Sequence, residues 1–312
     1  MSTLPAKFVR PPMVSRSLVC DLAIVGGGLA GVCAALAAAR QGARVVLIQD
    51  RSVLGGNASS EIKMHIVGAD CHGNRPGARE TGLIEELRLE DAVRNPHRSF
   101  SQWDLLLYEK VIEEKNITLL LNTSFTGCGT EARDGTLLIR SLEATRHSTG
   151  EDFHIETPFF ADCSGDGVLG AAAGADFRIG RESQAEYGED KALATADSHT
   201  LGSSILFTAR RHPTPQPFLA PGWIRRFTRD DFRHRPVCSY EYGYWWSEWG
   251  GQLDTIRDND GIRHESCSAS PWASGTTSRI RATTPTPCIG PWIGSAPFLV
   301  SGSPAGSWGS MS

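Results

Sequence analysis

Residues 21–57 read DLAIVGGGLAGVCAALAAARQGARVVLIQDRSVLGGN. Leu22 to Val25 is an apolar run suited to a buried strand. Gly26, Gly28 and Gly31 follow at G-x-G-x-x-G spacing, an Ala-rich segment from Leu29 to Gln41 favours helix, and Arg44 to Ile48 forms a second strand-like run. Strand, glycine turn, helix and strand in this order are the context in which the glycine pattern marks a dinucleotide site. The first glycine permits a tight turn, the second lets the backbone approach a pyrophosphate, and the third lets helix and strand pack closely. The helix N-terminus, at Leu29 and Ala30, offers free N–H groups and a partial positive charge to the phosphates. The competing reading is a glycine turn in an α/β unit that binds no nucleotide.

Working outward, composition narrows the classes. The chain has 312 residues, 40% of them hydrophobic, and a net charge of −4. It is long enough for one large domain or two ordinary ones, and without a basic block a nucleic-acid role is disfavoured. The eight cysteines are scattered with no C-x-x-C, which argues against iron–sulfur clusters and zinc ribbons, so no metal is expected. The same spacing fits a reducing, cytoplasmic compartment. Leu22 to Ala39 carries no charge and follows Lys7, Arg10 and Arg16, so it imitates a signal peptide or membrane helix. Three consecutive glycines argue against that use, and the strand–turn–helix reading accounts for the residues better. No membrane role is expected.

The remaining chain reads as follows. Residues 1–17, with Pro5, Pro11 and Pro12, form an extended arm. Residues 18–185 make a nucleotide domain with a helical insertion at about 77–115. Within it, Ser60 to Gly68 reads as a short strand. Helices are expected over Thr81–Arg94 and over Ser101–Lys115, with Ser101 as N-cap and a core stripe of Trp103, Leu106, Leu107 and Val111. Asn116–Gly127 reads as a strand pair or a bent strand. Thr136–Ala144 and Phe153–Phe160 read as a further pair around a polar turn, and Phe159 to Asp162 leads into the turn CSGDG and a short helix at Val168–Ala175.

Residues 186–265 would form a partial substrate domain, with strands near Ser204–Thr208 and Ser239–Trp249. From Ser266 to Ser312 the chain has no Asp, Glu or Lys, only Arg279 and Arg281 as charges, and three tryptophans, Trp272, Trp292 and Trp308. Polar linkers are poor in Trp and folded domains carry acids. This low-complexity tail therefore reads either as an out-of-frame translation product or as a disordered tail.

Further chemistry lies beyond the glycines. In a dinucleotide site the second strand ends in an acid that binds ribose hydroxyls. Here Gln49, Asp50 and Arg51 occupy that end. By register Gln49 takes the acidic position, where its amide oxygen still accepts a hydrogen bond, and Asp50 is the fallback. Gly55, Gly56 and Asn57 form a turn whose backbone N–H groups suit close ligand approach. Gly165 and Asp166 follow a strand end, where ligands of open α/β sheets bind, although Asp166 also suits a helix N-cap. His65, His72 and Arg79 are weak candidates for orienting a substrate. Cys71 beside His72 lacks a partner cysteine nearby. Tyr240, Tyr242, Tyr244 and Trp246 alternate and would share one strand face, as core or as pocket lining.

The 21–57 stretch with its extension ASSEIKM, and the segments RETGLIEEL, NITLLLNT and ADCSGDGVLGAAAGA, together resemble the FAD-dependent oxidoreductase family of the glutathione-reductase-like FAD/NAD(P)-binding fold. They are most similar to poorly characterised bacterial members with QDR-x-x-LGGNASSE. The resemblance spans Asp21 to Glu265. It implies an α/β, Rossmann-like FAD/NAD(P)-binding domain with a parallel central sheet, plus a smaller mixed substrate domain, and FAD rather than free NAD as cofactor. It implies that Gly26, Gly28 and Gly31 hold the pyrophosphate, that Gln49, Asp50 and Arg51 lie at the adenosine ribose, that Gly55 and Gly56 support the cofactor, that Gly165 and Asp166 contact it again, and that the main chain near Phe125 meets the adenine. Two departures stand out. Gln49 replaces the usual acid, and the glycine-rich C-terminal segment that closes the flavin site in the family has no counterpart after Glu265.

The expected function is an FAD-dependent oxidoreductase that moves a hydride from a small organic substrate to FAD, with a separate electron acceptor. The alternatives are a truncated remnant that binds the ADP moiety weakly or not at all, and an NAD(P)-binding module without flavin.

Overall fold

The computed structural model describes residues 13–64, 66, 80–204, 209–211, 248–249, 254–258, 261–262 and 292–294. Its elements run in the order β1 (Val14–Val19), β2 (Leu22–Val25), α1 (Leu29–Arg40), β3 (Val45–Ile48), α2 (Leu83–Arg94), α3 (Phe100–Glu113), β4 (Ile117–Leu120), β5 (Ser124–Arg133), β6 (Thr136–Arg146), β7 (Glu151–Glu156), β8 (Phe159–Asp162), α4 (Val168–Ala172), α5 (Gln184–Tyr187), β9 (Ser203–Ser204), β10 (Ala209–Arg211), β11 (Glu248–Trp249) and β12 (Trp292–Gly294). The chain divides into two compact units. One comprises Met1–Ser60 and His65–Asp176, the other Glu61–Met64 and Phe177–Ser312.

Among the described residues, the first unit is α/β and holds two sheets. One is all parallel, in the order β4-β3-β2-β8, and the other is mixed, in the order β1-β7-β6-β5. A parallel strand covered on both faces needs apolar residues at every position, and β2 and β3 supply them. Ile24, Val45 and Leu47 pack with α1 and with Leu87, Trp103, Leu107 and Val111 of α2 and α3. Ala23, Val25, Val46 and Ile48 pack on the opposite face with Leu142, Ala144, Phe153 and Ile155 of the mixed sheet. The parallel sheet is therefore the middle of three layers. Each fully buried Leu, Ile or Val contributes about 1.5–3 kcal/mol.

Local signals fix the ends of α1. It starts after Gly28 and stops in a Schellman turn, where the Ala43 N–H reaches Ala38 O at 3.1 Å and the Gly42 N–H reaches Ala39 O at 2.9 Å. Chain reversal there feeds directly into β3. The bottom edge of the sheet is tied by Asp21, whose carboxylate accepts the Arg44 backbone N–H at 2.8 Å and its guanidinium at 2.7 Å.

Several expectations change. Within the stretch read as an extended arm, residues 14–17 belong to β1, which pairs in parallel with β7, from Val14 opposite Glu151 to Val19 opposite Glu156. Phe153–Phe160 is not one strand. Thr157 and Pro158 interrupt it, and the two halves join different sheets, because proline offers no N–H for a ladder. The described part of Ser60–Gly68 is turn and irregular chain, with Lys63 at φ +64°, so it is not a strand there. The N-cap of α3 is Ser99 rather than Ser101, and its stripe of Trp103, Leu106, Leu107 and Val111 is buried. Asn116–Gly127 divides between β4 and the start of β5, again in different sheets.

In the second unit, Arg181 and Asp197 form an antiparallel bridge that their side chains reinforce. β9 pairs with β11 and β10 with β12, each antiparallel. Through β12, Trp292–Gly294 of the tail carries a backbone pairing. Most of Ser204–Thr208, Ser239–Trp249 and the tail lies outside the described residues. Among the described residues, no helix is long and apolar enough to cross a membrane.

Candidate functional site

Four strand ends meet at the carboxyl edge of the parallel sheet, and those of β2, β3 and β8 lead into predicted residues. β2 runs into Gly26, β3 into Gln49, β4 into Leu121 and β8 into Cys163. β2 lies between β3, reached through α1, and β8, reached from the mixed sheet. The chain leaves the sheet in opposite senses here, and such a switch point leaves a crevice beyond the strand ends.

The turns at this edge interlock. Gly26 N donates to Ile48 O at 2.8 Å, and Cys163 N donates to Val25 O at 2.8 Å. Gly26 has φ +104°, and a Cβ there would lie 2.2 Å from Cys163 O. A Cβ on Gly31 would lie 1.8 Å from Gly26 O, so this glycine is required for the close approach of α1 to the turn. Gly28 differs: among the described residues, nothing lies within 4 Å of the position its Cβ would take. It caps α1 in an extended conformation, with φ −64° and ψ 179°. The turn thus presents bare backbone and the start of α1, at Leu29 and Ala30, to open space. That is the arrangement a pyrophosphate needs.

The second glycine pair is fastened to the first. Gly55 N donates to Gly27 O at 2.8 Å, Gly28 and Gly55 form a parallel bridge, and a Cβ on Gly56 would come 3.2 Å from Gly28 Cα. Asn57 follows in a 3-10 turn over Gly56–Ala58. Gly26, Gly28, Leu29, Ala30, Gly31, Gly55, Gly56 and Asn57 are therefore brought together.

Gln49 sits at the end of β3 and is 4% exposed. Its Oε1 accepts the Gly27 N–H at 2.8 Å, and its Nε2 donates to Val53 O at 3.0 Å. Main-chain bonds continue the strand end toward β4: Gln49 N to Leu120 O at 2.9 Å, Asn122 N to Arg51 O at 3.0 Å and Thr123 N to Gln49 O at 2.9 Å. Asp50, between Gln49 and Arg51, is exposed and makes no hydrogen bond or ion pair with a described residue. Phe125 follows two residues after Thr123, on β5, half-buried against the second core cluster.

After β8, Asp162 organises the last turn. Its carboxylate accepts Ser164 N at 3.1 Å, Ser164 Oγ at 2.6 Å and Gly170 N at 2.9 Å, while Ser164 Oγ accepts Val168 N at 3.1 Å. Gly165 has φ +84° and, among the described residues, no atom within 4 Å of its Cβ position. Asp166 follows it, and partial desolvation together with the charge of Asp162 pushes its carboxyl above the ordinary Asp range. Asp166 does not cap α4, whose N-cap is Gly167 without a side-chain bond. Burial and Asp162 also push the Cys163 thiol up, so it stays protonated at neutral pH.

Asp162, Ser164 and the Leu121–Thr123 turn were not singled out from sequence. Asp-x-Ser at a strand end is a recognisable Asx-turn signature. The second turn is held by Arg146, whose Nε donates to Leu121 O and Thr123 Oγ1, each at 3.0 Å. That partnership is non-local and has no sequence signal. His65, Cys71, His72, Arg79, Tyr240, Tyr242, Tyr244 and Trp246 lie outside the described residues.

A glycine-lined crevice at the switch point of a parallel sheet is the architecture of the Rossmann-like α/β fold. The chain matches the FAD dependent oxidoreductase family over residues 21–256 and belongs to it. Among solved structures it is similar to the L-proline dehydrogenase from P. horikoshii, with 18% identity, TM-score 0.30, and coverage of 58% of this chain and 27% of that one. It is similar to Thermovibrio ammonificans THI4, with 17% identity, TM-score 0.39, and coverage of 57% and 76%. It is also similar to the flavin-dependent monooxygenase PieE in complex with FAD and substrate, with 18% identity, TM-score 0.36, and coverage of 62% and 35%. The chain thus spans about a quarter of the proline dehydrogenase and about a third of PieE. A comparison with curated proteins gave no match.

Proposed function

We propose that the crevice beyond β2, β3 and β8 binds FAD, and that the chain serves hydride transfer from a small organic substrate. The observation that carries this reading is the open backbone at Gly28, clamped between Gly26 and the Gly55–Gly56 pair. The residues fit an FAD pyrophosphate: the Gly26–Gly31 turn and the N-terminus of α1 would hold it, with Gly55 and Gly56 beside it. Gly165 and Asp166 supply a second contact region on the β8 side. When bound, the isoalloxazine supplies the hydride acceptor, and a separate acceptor of unidentified class takes the electrons onward.

The chain's own groups position and shield. Interlocked turns fix the N–H groups in advance, so little ordering remains on binding. The neutral Cys163 thiol adds no charge at the crevice. Asp166, exposed beside Gly165, offers carboxyl oxygens to ligand hydroxyl groups. A small-molecule substrate, no nucleic-acid or membrane partner, and a cytoplasmic setting complete the proposal, supported by the charge balance and the scattered cysteines.

The test is a visible spectrum of the purified chain before and after addition of FAD and removal of the excess. Retained flavin absorption that bleaches with a true substrate is expected. A colourless chain that takes up no FAD overturns the reading in favour of a non-catalytic remnant. Stabilisation by nicotinamide cofactors and not by FAD would instead favour an NAD(P) module.

A further inference from the structure

We propose that Gln49 is a positioning residue whose neutral amide locks the Gly27 turn to the Val53–Gly56 turn, and that the ribose contact at this strand end falls to Asp50. The second part rests on the FAD reading above. The first does not.

The argument starts from what each end of the amide does. Oε1 accepts from Gly27 N, and Nε2 donates to Val53 O. Gly27 O in turn accepts from Gly55 N, so three hydrogen bonds and the covalent chain from Val53 to Gly55 close a ring. Packing seals the ring: a Cβ on Gly27 would meet Leu54 Cδ2 at 2.7 Å and Gln49 Cβ at 2.9 Å. Such a ring needs a side chain that accepts at one end and donates at the other, in a dry site. An amide of this length does so at any pH, whereas a carboxyl does so without a charge only while it is protonated. A glutamate would still accept from Gly27, but it would set an anionic oxygen against the Val53 carbonyl in a buried place.

Gln49 is thus committed to the protein, and its burial keeps it from a ligand. The next side chain, Asp50, is exposed and without a partner among the described residues, at a strand end that three main-chain bonds hold in place. A carboxylate there accepts from ribose hydroxyls with charge assistance.

Two measurements on the full chain test this. Melting temperatures of wild type, Gln49→Glu and Gln49→Met are recorded without nucleotide from about pH 4.5 to about pH 8, a range that brackets the titration of a buried carboxyl raised from ~4.3. In the Gln49→Glu variant, a protonated carboxyl restores the donor, and ionisation removes it. The melting point of Gln49→Glu should therefore stay near wild type at the acid end and fall as pH rises, whereas Gln49→Met should lie below wild type by a constant amount. A Gln49→Glu profile parallel to wild type overturns the lock.

Calorimetry with ADP and 2′,3′-dideoxy-ADP then tests the ribose. Wild type should prefer ADP by about tenfold or more, as for a charge-assisted hydrogen bond. Asp50→Asn should lose that preference, and Gln49→Met should weaken both ligands while keeping it. A preference that survives Asp50→Asn, or disappears in Gln49→Met, overturns the assignment. ADP binding without FAD binding would sink the flavin reading and still decide Asp50. Absence of binding to either nucleotide overturns both, and the melting profiles still decide Gln49.

Discussion

The carbonyl oxygen of Cys163 stands 2.2 Å from the point where a Cβ on Gly26 would lie, so the turns after β2 and β8 touch through bare backbone. Each turn therefore sets the position of the other.

Gly26→Ala should separate them. The methyl meets backbone that cannot rotate away, at φ +104°. Strain and overpacking together should cost about 2–4 kcal/mol, read by urea unfolding. Gly28→Ala should behave oppositely. Its Cβ meets nothing among the described residues and its φ of −64° is ordinary, so stability should change by less than about 1 kcal/mol. FAD affinity should still fall, because the methyl occupies the open side of the crevice. Flavin fluorescence titration of the two variants separates folding from binding, and equal behaviour would refute the division.

Asp162 should matter more to the β8 turn than its exposure suggests. It accepts three hydrogen bonds from Ser164 and Gly170. Asp162→Ala should cost about 1–2 kcal/mol, discounted for solvent access, and lower FAD affinity. Unchanged hydrogen exchange at the Ser164 and Gly170 amides would contradict this.

Acid should loosen the sheet edge through Asp21. Arg44 holds its carboxyl at about 2, down from 3.8. A depressed carboxyl contributes stability that is present above the unfolded value and is lost as pH falls from 3.8 toward about 2. Asp21→Asn should flatten stability in that window, as chemical denaturation at stepped pH would show.

On the mixed sheet, His154 lies between Glu143 at 2.6 Å and Glu156 at 3.3 Å, and these carboxylates push its imidazole above the ordinary 6.5. The raised value makes its contribution complete below 6.5 and lost as pH rises through the folded value. His154→Gln should remove that alkaline decline. An NMR titration placing His154 at or below 6.5 would defeat the prediction.

The cradle was legible because its signals are local. Glycine spacing, an alanine-rich helix and two apolar strands lie within residues 21–57, and each is decided by near neighbours. β1 was not, because an edge strand with exposed Val14 and Val19 needs only a backbone partner, and that partner is distant in sequence. The run Phe153–Phe160 looked continuous because apolar residues persist across Thr157 and Pro158 while the sheet changes. Spacing put Gln49 at the ribose end of its strand. Its true engagement, with Gly27 and Val53, depends on how three turns meet in space.

Strand order also carries a timetable. Arg16 and Glu151, which join β1 to β7, are 135 positions apart. β2 likewise gains its second neighbour only when Phe159–Asp162 arrives. Both sheets of the first unit thus wait for the same late stretch of chain. During synthesis, the glycine turn emerges early with one wall missing, and nascent chains that end before residue 162 lack the β8 wall.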